Sequence, residues 1–230
     1  MLFRNIELLE EQKQILQKKN LIINYNYKKE INISLQDSSI LNQENKSMYD
    51  LLVSSPPYGD NHTTVPYGQY SYLPLQWIDL RDIDKSLDID ILRSTCEIDT
   101  RSLGGSLANI QESEYSLKQM SKSYKSYSKK LSGNKHLNKV TAFIRDIHVS
   151  LKSILTSLKP NSYMIWTLGN RRVANQLVPF DQIIQELLES QGCCLVEKIL
   201  REIPAKKMAL KNNYSETMNC ETILIMRKKK

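Results

Sequence analysis

The chain has 230 residues, 40% of them hydrophobic and 25% charged, with a formal net charge of +7 at pH 7. That length and balance allow one or two domains with a real core and exclude a disordered chain. The positive charge favours a polyanionic partner such as nucleic acid, although Arg227-Lys228-Lys229-Lys230 supplies part of it and equally suits a solvated tail.

The 4 cysteines, Cys96, Cys193, Cys194 and Cys220, match no zinc spacing and are too few for a disulfide scaffold. They read as reduced and mostly buried, in a cytoplasmic protein. No apolar run approaches the length of a membrane span, and the N-terminus lacks a signal core.

Ile6, Leu8, Leu9, Ile15 and Leu16 form a partial apolar stripe that predicts a helix over 6–18. A capping or coiled-coil helix would carry the same stripe. The polar run 25–29 reads as a loop. Ile31-Asn32-Ile33-Ser34-Leu35 alternates strictly, which predicts a strand. Asp37 stands just past it. An acid there can accept from a ribose hydroxyl or an adenine amine, and it fits equally well as a turn cap.

Leu51 to Val53 is a short apolar run that predicts a buried parallel strand. It ends in Ser55-Pro56-Pro57-Tyr58. Two prolines cannot continue a central strand, because neither donates a ladder hydrogen bond. The backbone must stiffen and turn at the strand's carboxyl end, the edge where ligands sit in open α/β sheets. Proline keeps its carbonyl but has no N–H, so the turn offers acceptors without competing donors. Ser55 adds a hydroxyl and Tyr58 a flat aromatic face. Acceptors beside a stacking platform suit the exocyclic amine of a nucleobase. Held by two acceptors, that poorly nucleophilic nitrogen becomes more tetrahedral, and the charge that grows as it attacks a methyl donor is stabilised. Stacking on Tyr58 would offset part of the cost of unstacking the base, by ~1–3 kcal/mol. The same tetrapeptide also fits a plain proline turn.

Ser55-Pro56-Pro57-Tyr58 resembles the catalytic motif of amino-directed DNA methyltransferases, in the serine form usual for cytosine-N4 enzymes. The following Gly59-Asp60-Asn61-His62-Thr63-Thr64-Val65-Pro66-Tyr67-Gly68-Gln69-Tyr70 is similar to that motif's extended form in one subgroup. The resemblance implies a Rossmann-like α/β sheet and S-adenosylmethionine as methyl donor. It also implies double-stranded DNA as substrate and no metal, since attack on the sulfonium methyl is direct. It gives Ser55, Pro56, Pro57 and Tyr58 as the catalytic set, and Asp37 as a contact to the donor's adenosine. Adenine-N6 methylation with the same motif is the alternative chemistry. A non-catalytic DNA-binding or regulatory subunit is the alternative class.

Tyr58, Tyr67, Tyr70, Tyr72 and Trp77, at no regular period beside prolines and glycines, read as a loop lining a site. Residues 79–139 read as an insert. Within it Lys122-Ser123-Tyr124-Lys125-Ser126-Tyr127-Ser128 interleaves groups that can meet phosphates. Lys122 and Lys125 are therefore candidate DNA contacts, and the same run fits a solvated helix face. From 140 on, Val140, Phe143, Ile144, Ile147, Leu151, Ile154, Leu155 and Leu158 recur at helical spacing, with Pro160 as a stop. A buried strand over 162–168 follows, then Gly169-Asn170-Arg171-Arg172. Asp181 starts a second helix ended by Gly192, before strands over 195–203 and 221–226.

This order, strand, helix, strand, helix and an antiparallel C-terminal hairpin, resembles the second half of the methyltransferase sheet. The expected organisation is 1–78, carrying the motif strand; 79–139, the insert or recognition segment; and 140–230, the C-terminal half. Leu168-Gly169-Asn170-Arg171-Arg172 and Arg201-Glu202-Ile203-Pro204-Ala205-Lys206-Lys207-Met208 look like later motifs of the family. The second places Lys206 and Lys207 beside the flipped base or its phosphates; two exposed hairpin lysines would look the same. The family's glycine-rich donor-binding turn has no counterpart among the 7 glycines. The sheet is thus expected to be partial, with its first strands on a second polypeptide or lost from a truncated gene. An uncovered strand edge at 31–35 and 51–53 would then favour association.

Overall fold

The first apolar stripe folds as α1, Leu2–Lys18. Leu, Glu, Gln and Lys are strong helix formers, and no Gly or Pro interrupts them. The helix ends where Asn20 adopts φ 57°. Asn20 N–H then bonds the Gln17 carbonyl at 2.8 Å and Leu21 N–H bonds the Leu16 carbonyl at 2.9 Å, satisfying two end carbonyls at once. A small hairpin follows, β1 (Ile22–Ile23) against β2 (Asn26–Tyr27). The run expected as a loop over 25–29 thus supplies a short strand. Its backbone pairs locally while Asn26 and Tyr27 stay exposed.

The computed structural model describes residues 2–23, 26–29, 31, 37–40, 46–59, 67–83, 85, 89–203 and 220–229. They fall into two units, Met1–Leu35 and Gln36–Lys230. Apart from Ile31, the strand expected over 31–35 lies outside the described residues. No described helix is long and apolar enough to cross a membrane.

In the second unit the motif strand is β3, Tyr49–Ser54. The aromatic segment beyond it, expected as a loop, contains a helix, α2 (Tyr67–Gln76), despite Pro74 inside it. Gly68 permits the packing: a Cβ there would lie 1.9 Å from the Thr95 carbonyl oxygen. Its N–H donates to the buried carboxylate of Asp99 at 3.0 Å. Short turns of helix follow at α3 (Leu80–Ile83), Ile89–Leu92 and α4 (Glu97–Arg101).

Next come α5 (Ile110–Met120), α6 (Lys122–Lys130) and the long α7 (Lys135–Ser157). Ser121 caps α6, accepting the Tyr124 N–H at 2.9 Å. Glu186 also accepts there, from Ser123 N–H at 3.0 Å and Ser123 Oγ at 2.9 Å. A carboxylate at a helix N-terminus satisfies otherwise orphaned donors and complements the dipole. α6 therefore lies with Tyr124 and Tyr127 buried and Lys122 and Lys125 exposed. This corrects one expectation: the tyrosine hydroxyls of this run do not reach solvent, because at helical spacing they fall on the core face.

β4 (Leu158–Leu168) starts as soon as α7 ends, earlier than the strand read from the sequence. Pro160 sits inside it. The pairing with β3 slips between Tyr49 and Leu51, and Asn161 takes φ 65° there. An irregular register of this kind tolerates a residue without an N–H. The small hairpin β5 (Arg172–Val173) and β6 (Gln176–Leu177) turns through Ala174 and Asn175, both at positive φ. Then come α8 (Phe180–Glu189), β7 (Cys193–Glu202) and β8 (Cys220–Lys228).

The sheet runs β3-β4-β8-β7. β3 and β4 are parallel, and β8 lies antiparallel between β4 and β7. Met164, Trp166 and Leu168 of β4 and Leu224 and Met226 of β8 share one core with the apolar faces of α5 to α8. Of the cysteines expected to be mostly buried, Cys193 is buried and Cys194 half-buried, whereas Cys96 and Cys220 are exposed. β3 also departs from its expected burial. Leu52 packs against that core, but Leu51 and Val53 are 54% and 69% exposed. Strand residues alternate in direction, so Leu51 and Val53 share the face of β3 opposite the one that Leu52 turns to the core.

Candidate active site

The register of the sheet decides what meets the Ser-Pro-Pro-Tyr turn. Ser54 pairs with Trp166, Leu168 with Thr222, and Glu221 with Arg201. β8 runs antiparallel, so its first residues lie at the edge where β3 and β4 finish. Ser55, Pro56 and Pro57 leave β3 without regular structure, and Tyr58 and Gly59 form a bend. Ser55 is exposed, Pro56, Pro57 and Tyr58 are half-buried, and Gly59 is buried. The guanidinium of Arg171, from the loop after β4, fills the space beside Gly59. A Cβ added there would lie 2.3 Å from its central carbon.

Tyr58 hydroxyl donates to Glu221 Oε1 at 2.8 Å. Glu221 in turn forms an ion pair with Arg201 across the β7–β8 ladder. Burial, then the hydrogen bond to the Glu221 carboxylate, raises the phenol above its usual range, while a hydrogen bond with Ser55 opposes the shift. The ring is therefore neutral at physiological pH and stands next to the Ser55 hydroxyl.

Below the turn is a second polar group. Asn170 Nδ2 donates to Asp181 Oδ1 at 2.8 Å, and Asp181 N–H returns a bond to Asn170 Oδ1 at 3.1 Å. Thr222 Oγ1 donates to Asp181 Oδ2 at 3.1 Å, and Lys198 forms an ion pair with the same carboxylate. Burial pushes the Asp181 carboxyl up, but Lys198, Asn170 and Thr222 together hold it below the usual range. The loop after β4 is thereby tied to the start of α8. A cleft of about 490 Å³ opens there, lined by Lys122, Ser126, Lys130, Asn170, Asp181 and Gln182 among others.

The structure thus brings together Ser55, Pro56, Pro57 and Tyr58, and sets Lys122 on the wall of the neighbouring cleft. Lys125 lies on the same helix. Asp37 is exposed and its carboxylate accepts the Ser39 N–H at 2.8 Å, a turn cap. Lys206 and Lys207 lie outside the described residues. Glu221, Arg201 and Asp181 were not singled out as site residues from the sequence. The available signal was positional: the first residues of an antiparallel last strand reach the carboxyl edge of the parallel pair.

No family model matches the chain. Over 213 residues it is 35% identical to the Type II methyltransferase M.MvaI of Kocuria varians. The match covers 88% of this chain and 45% of that protein, so the chain spans about half the length of the curated relative. Crystal structures of a DNA modification methylase from Thermus thermophilus, TTHA0409, overlap less. The form complexed with S-adenosyl-L-methionine is 19% identical, with 41% of this chain and 40% of that one covered at a TM-score of 0.33. A second structure of that protein is 20% identical, covering 44% and 42% at a TM-score of 0.35.

Proposed function

We propose that this chain carries the base-activating half of a site-specific DNA methyltransferase, a partial Rossmann-like sheet acting on the exocyclic amine of a flipped base. Cytosine N4 is the target favoured by Ser55 in the motif, with adenine N6 as the alternative. The observation that carries the proposal is the Ser-Pro-Pro-Tyr turn at the carboxyl end of β3, with Ser55 exposed and Tyr58 beside it. The 35% identity to a Type II methyltransferase supports the same reading.

Ser55 Oγ and the Pro56 carbonyl accept the two amine hydrogens, and the Tyr58 ring supports the base face. The amine nitrogen forms a bond to the methyl carbon of S-adenosylmethionine. The carbon–sulfur bond breaks with its electron pair left on sulfur, and one amine proton departs to solvent. Oriented acceptors favour this step because the nitrogen's hydrogens gain positive character in the transition state. The exposed lysines of α6, with the cleft beside Asn170, supply a path for flanking phosphates.

Asp37, the residue expected to hold the donor's adenosine, is exposed, and its Oδ1 accepts the Ser39 N–H. We assign the donor-binding strands to residues outside this sequence, on a second polypeptide or elsewhere in a longer one, pairing along the free edge of β3, an outer strand of the described sheet.

The test uses the chain in its native complex, isotopically labelled S-adenosylmethionine and unmethylated bacterial genomic DNA, with mass spectrometry of the nucleosides. N4-methylcytosine is the expected product, lost in Ser55→Ala. Absence of any N4-methylcytosine or N6-methyladenine, or an unaltered rate in Ser55→Ala, refutes the assignment. Size-exclusion chromatography of the lone chain tests where the donor-binding strands lie: a well-behaved monomer that binds S-adenosylmethionine contradicts this assignment.

A further inference from the structure

The two prolines stiffen the backbone on one side of Tyr58, but they do not fix its side chain. A tyrosine on a bend at a sheet edge has several rotamers open to it, and a ring that must meet a base face-on needs one. In this fold the far end of the ring is held as well: its hydroxyl donates to Glu221 Oε1 at 2.8 Å. Glu221 is well placed to be rigid. Its side chain is only 12% exposed, it is paired in the ladder with Arg201 of β7 one residue before the β4 pairing begins at Thr222, and it is ion-paired with that same Arg201.

As a stability device the arrangement is poor. Arg201 is 56% exposed, and pairs with one arm in solvent contribute little to folding. As an anchor it is effective, because a hydrogen bond to an ionised carboxylate is shorter and more directional than one between neutral groups. On the other side of the bend, Arg171 packs against Gly59 and occupies the volume a side chain would take. The phenol is therefore tethered at its tip while its backbone is confined on both sides.

We infer that Glu221, braced by Arg201, is a positioning residue that fixes the plane of the Tyr58 ring for the flipped base. The inference rests on the methyltransferase reading and deepens it. Neither residue touches the substrate; both act through Tyr58.

The experiment is a double-mutant cycle in the native complex, with initial rates of methylation over a range of genomic DNA concentrations as readout. Tyr58→Phe keeps the ring and loses the hydroxyl, with its bonds to Glu221 and to Ser55. Glu221→Ala loses the tether and keeps the hydroxyl. Each is expected to lower kcat about tenfold with KM for DNA changed less than about twofold, and the double variant to be no worse than either single one. Glu221→Gln, which retains an acceptor oxygen, recovers most of the rate. A second measurement needs no activity. The near-ultraviolet titration of wild type minus Tyr58→Phe isolates this phenol from the other tyrosines. Its midpoint should fall in Glu221→Gln as the carboxylate charge is removed. Additive losses in the cycle, or an unmoved midpoint, overturn the positioning role while leaving the methyltransferase reading in place. A wild-type complex that methylates no base overturns both.

Discussion

Thr141→Val should destabilise the protein more than Tyr124→Phe, although both break the same hydrogen bond. The reason is a count of protons. Thr141 Oγ1 donates to the Leu137 carbonyl at 2.9 Å, which uses its only hydrogen. In the 2.6 Å contact between the two hydroxyls, Tyr124 is therefore the donor and Thr141 the acceptor. Phenylalanine at 124 removes the donor and leaves Thr141 bonded to Leu137, a loss of about 1 kcal/mol. Valine at 141 keeps the shape but strands a phenolic O–H at a position with 0% exposure. An unsatisfied buried donor costs ~1–3 kcal/mol, so about 2 kcal/mol is the expected loss. With an m-value of ~3 kcal/mol/M in urea, the midpoints fall by about 0.3 M and about 0.7 M. The double variant, with both partners apolar, should be more stable than Thr141→Val alone. Equal losses in the two single variants, or a double variant weaker than both, would refute the proton assignment. The contact matters to the site because it seats α6, and with it the lysines facing the cleft.

The remaining predictions concern pH, salt and two glycines. His148 is pushed down to about 4, first by burial and then by Lys152, so it is neutral in the fold. The unfolded chain binds a proton near the ordinary value of 6.5 that the fold refuses, so stability should decline between about 6.5 and about 4. Thermal melting across that range, compared with His148→Phe, measures the decline; identical slopes would contradict it. Asp181 acts lower: its folded value is depressed, so its contribution is complete above the ordinary 3.8 and fades as pH falls below that, a loss absent from Asp181→Ala. Lys122→Gln and Lys125→Gln should each reduce the salt slope of DNA binding by about 0.9, and unchanged slopes in fluorescence titrations would remove α6 from the interface. Gly68→Ala should lower the melting temperature more than Gly59→Ala. The new methyl meets a backbone oxygen at 1.9 Å in the first and the flexible end of Arg171 at 2.3 Å in the second.

The elements that the sequence reveals most clearly are those that keep a regular boundary between core and water. α7 and α8 show the 3.6-residue repeat because each packs its apolar residues into the shared core and leaves a polar stripe to water. β4 and β8 alternate for the same reason, with Met164, Trp166, Leu224 and Met226 inward. The motif is legible because two consecutive prolines have few places to go in a sheet. β3 misled because Leu51, Leu52 and Val53 are all apolar. A continuous run reads as burial on both faces, whereas Leu51 and Val53 face out on an outer strand. α2 was hidden by Pro74 and by aromatics without a helical period, and its packing depends on Gly68 meeting Thr95. The Tyr58–Glu221–Arg201 chain spans 163 residues from phenol to carboxylate, and only the strand register aligns it.

The sheet has one more consequence, for the order in which the protein can be made. β4 and β7 have no direct pairing; each hydrogen-bonds to β8, which is the last of the four strands to leave the ribosome. Until residues 220–228 emerge, the nascent chain holds a parallel pair on one side and a lone ribbon on the other. The core face of α8 then has only half a floor. Tyr58 likewise lacks its carboxylate anchor until that final segment slots in. Assembly of the base-binding edge and closure of the described four-stranded sheet are thus one event, late and all at once.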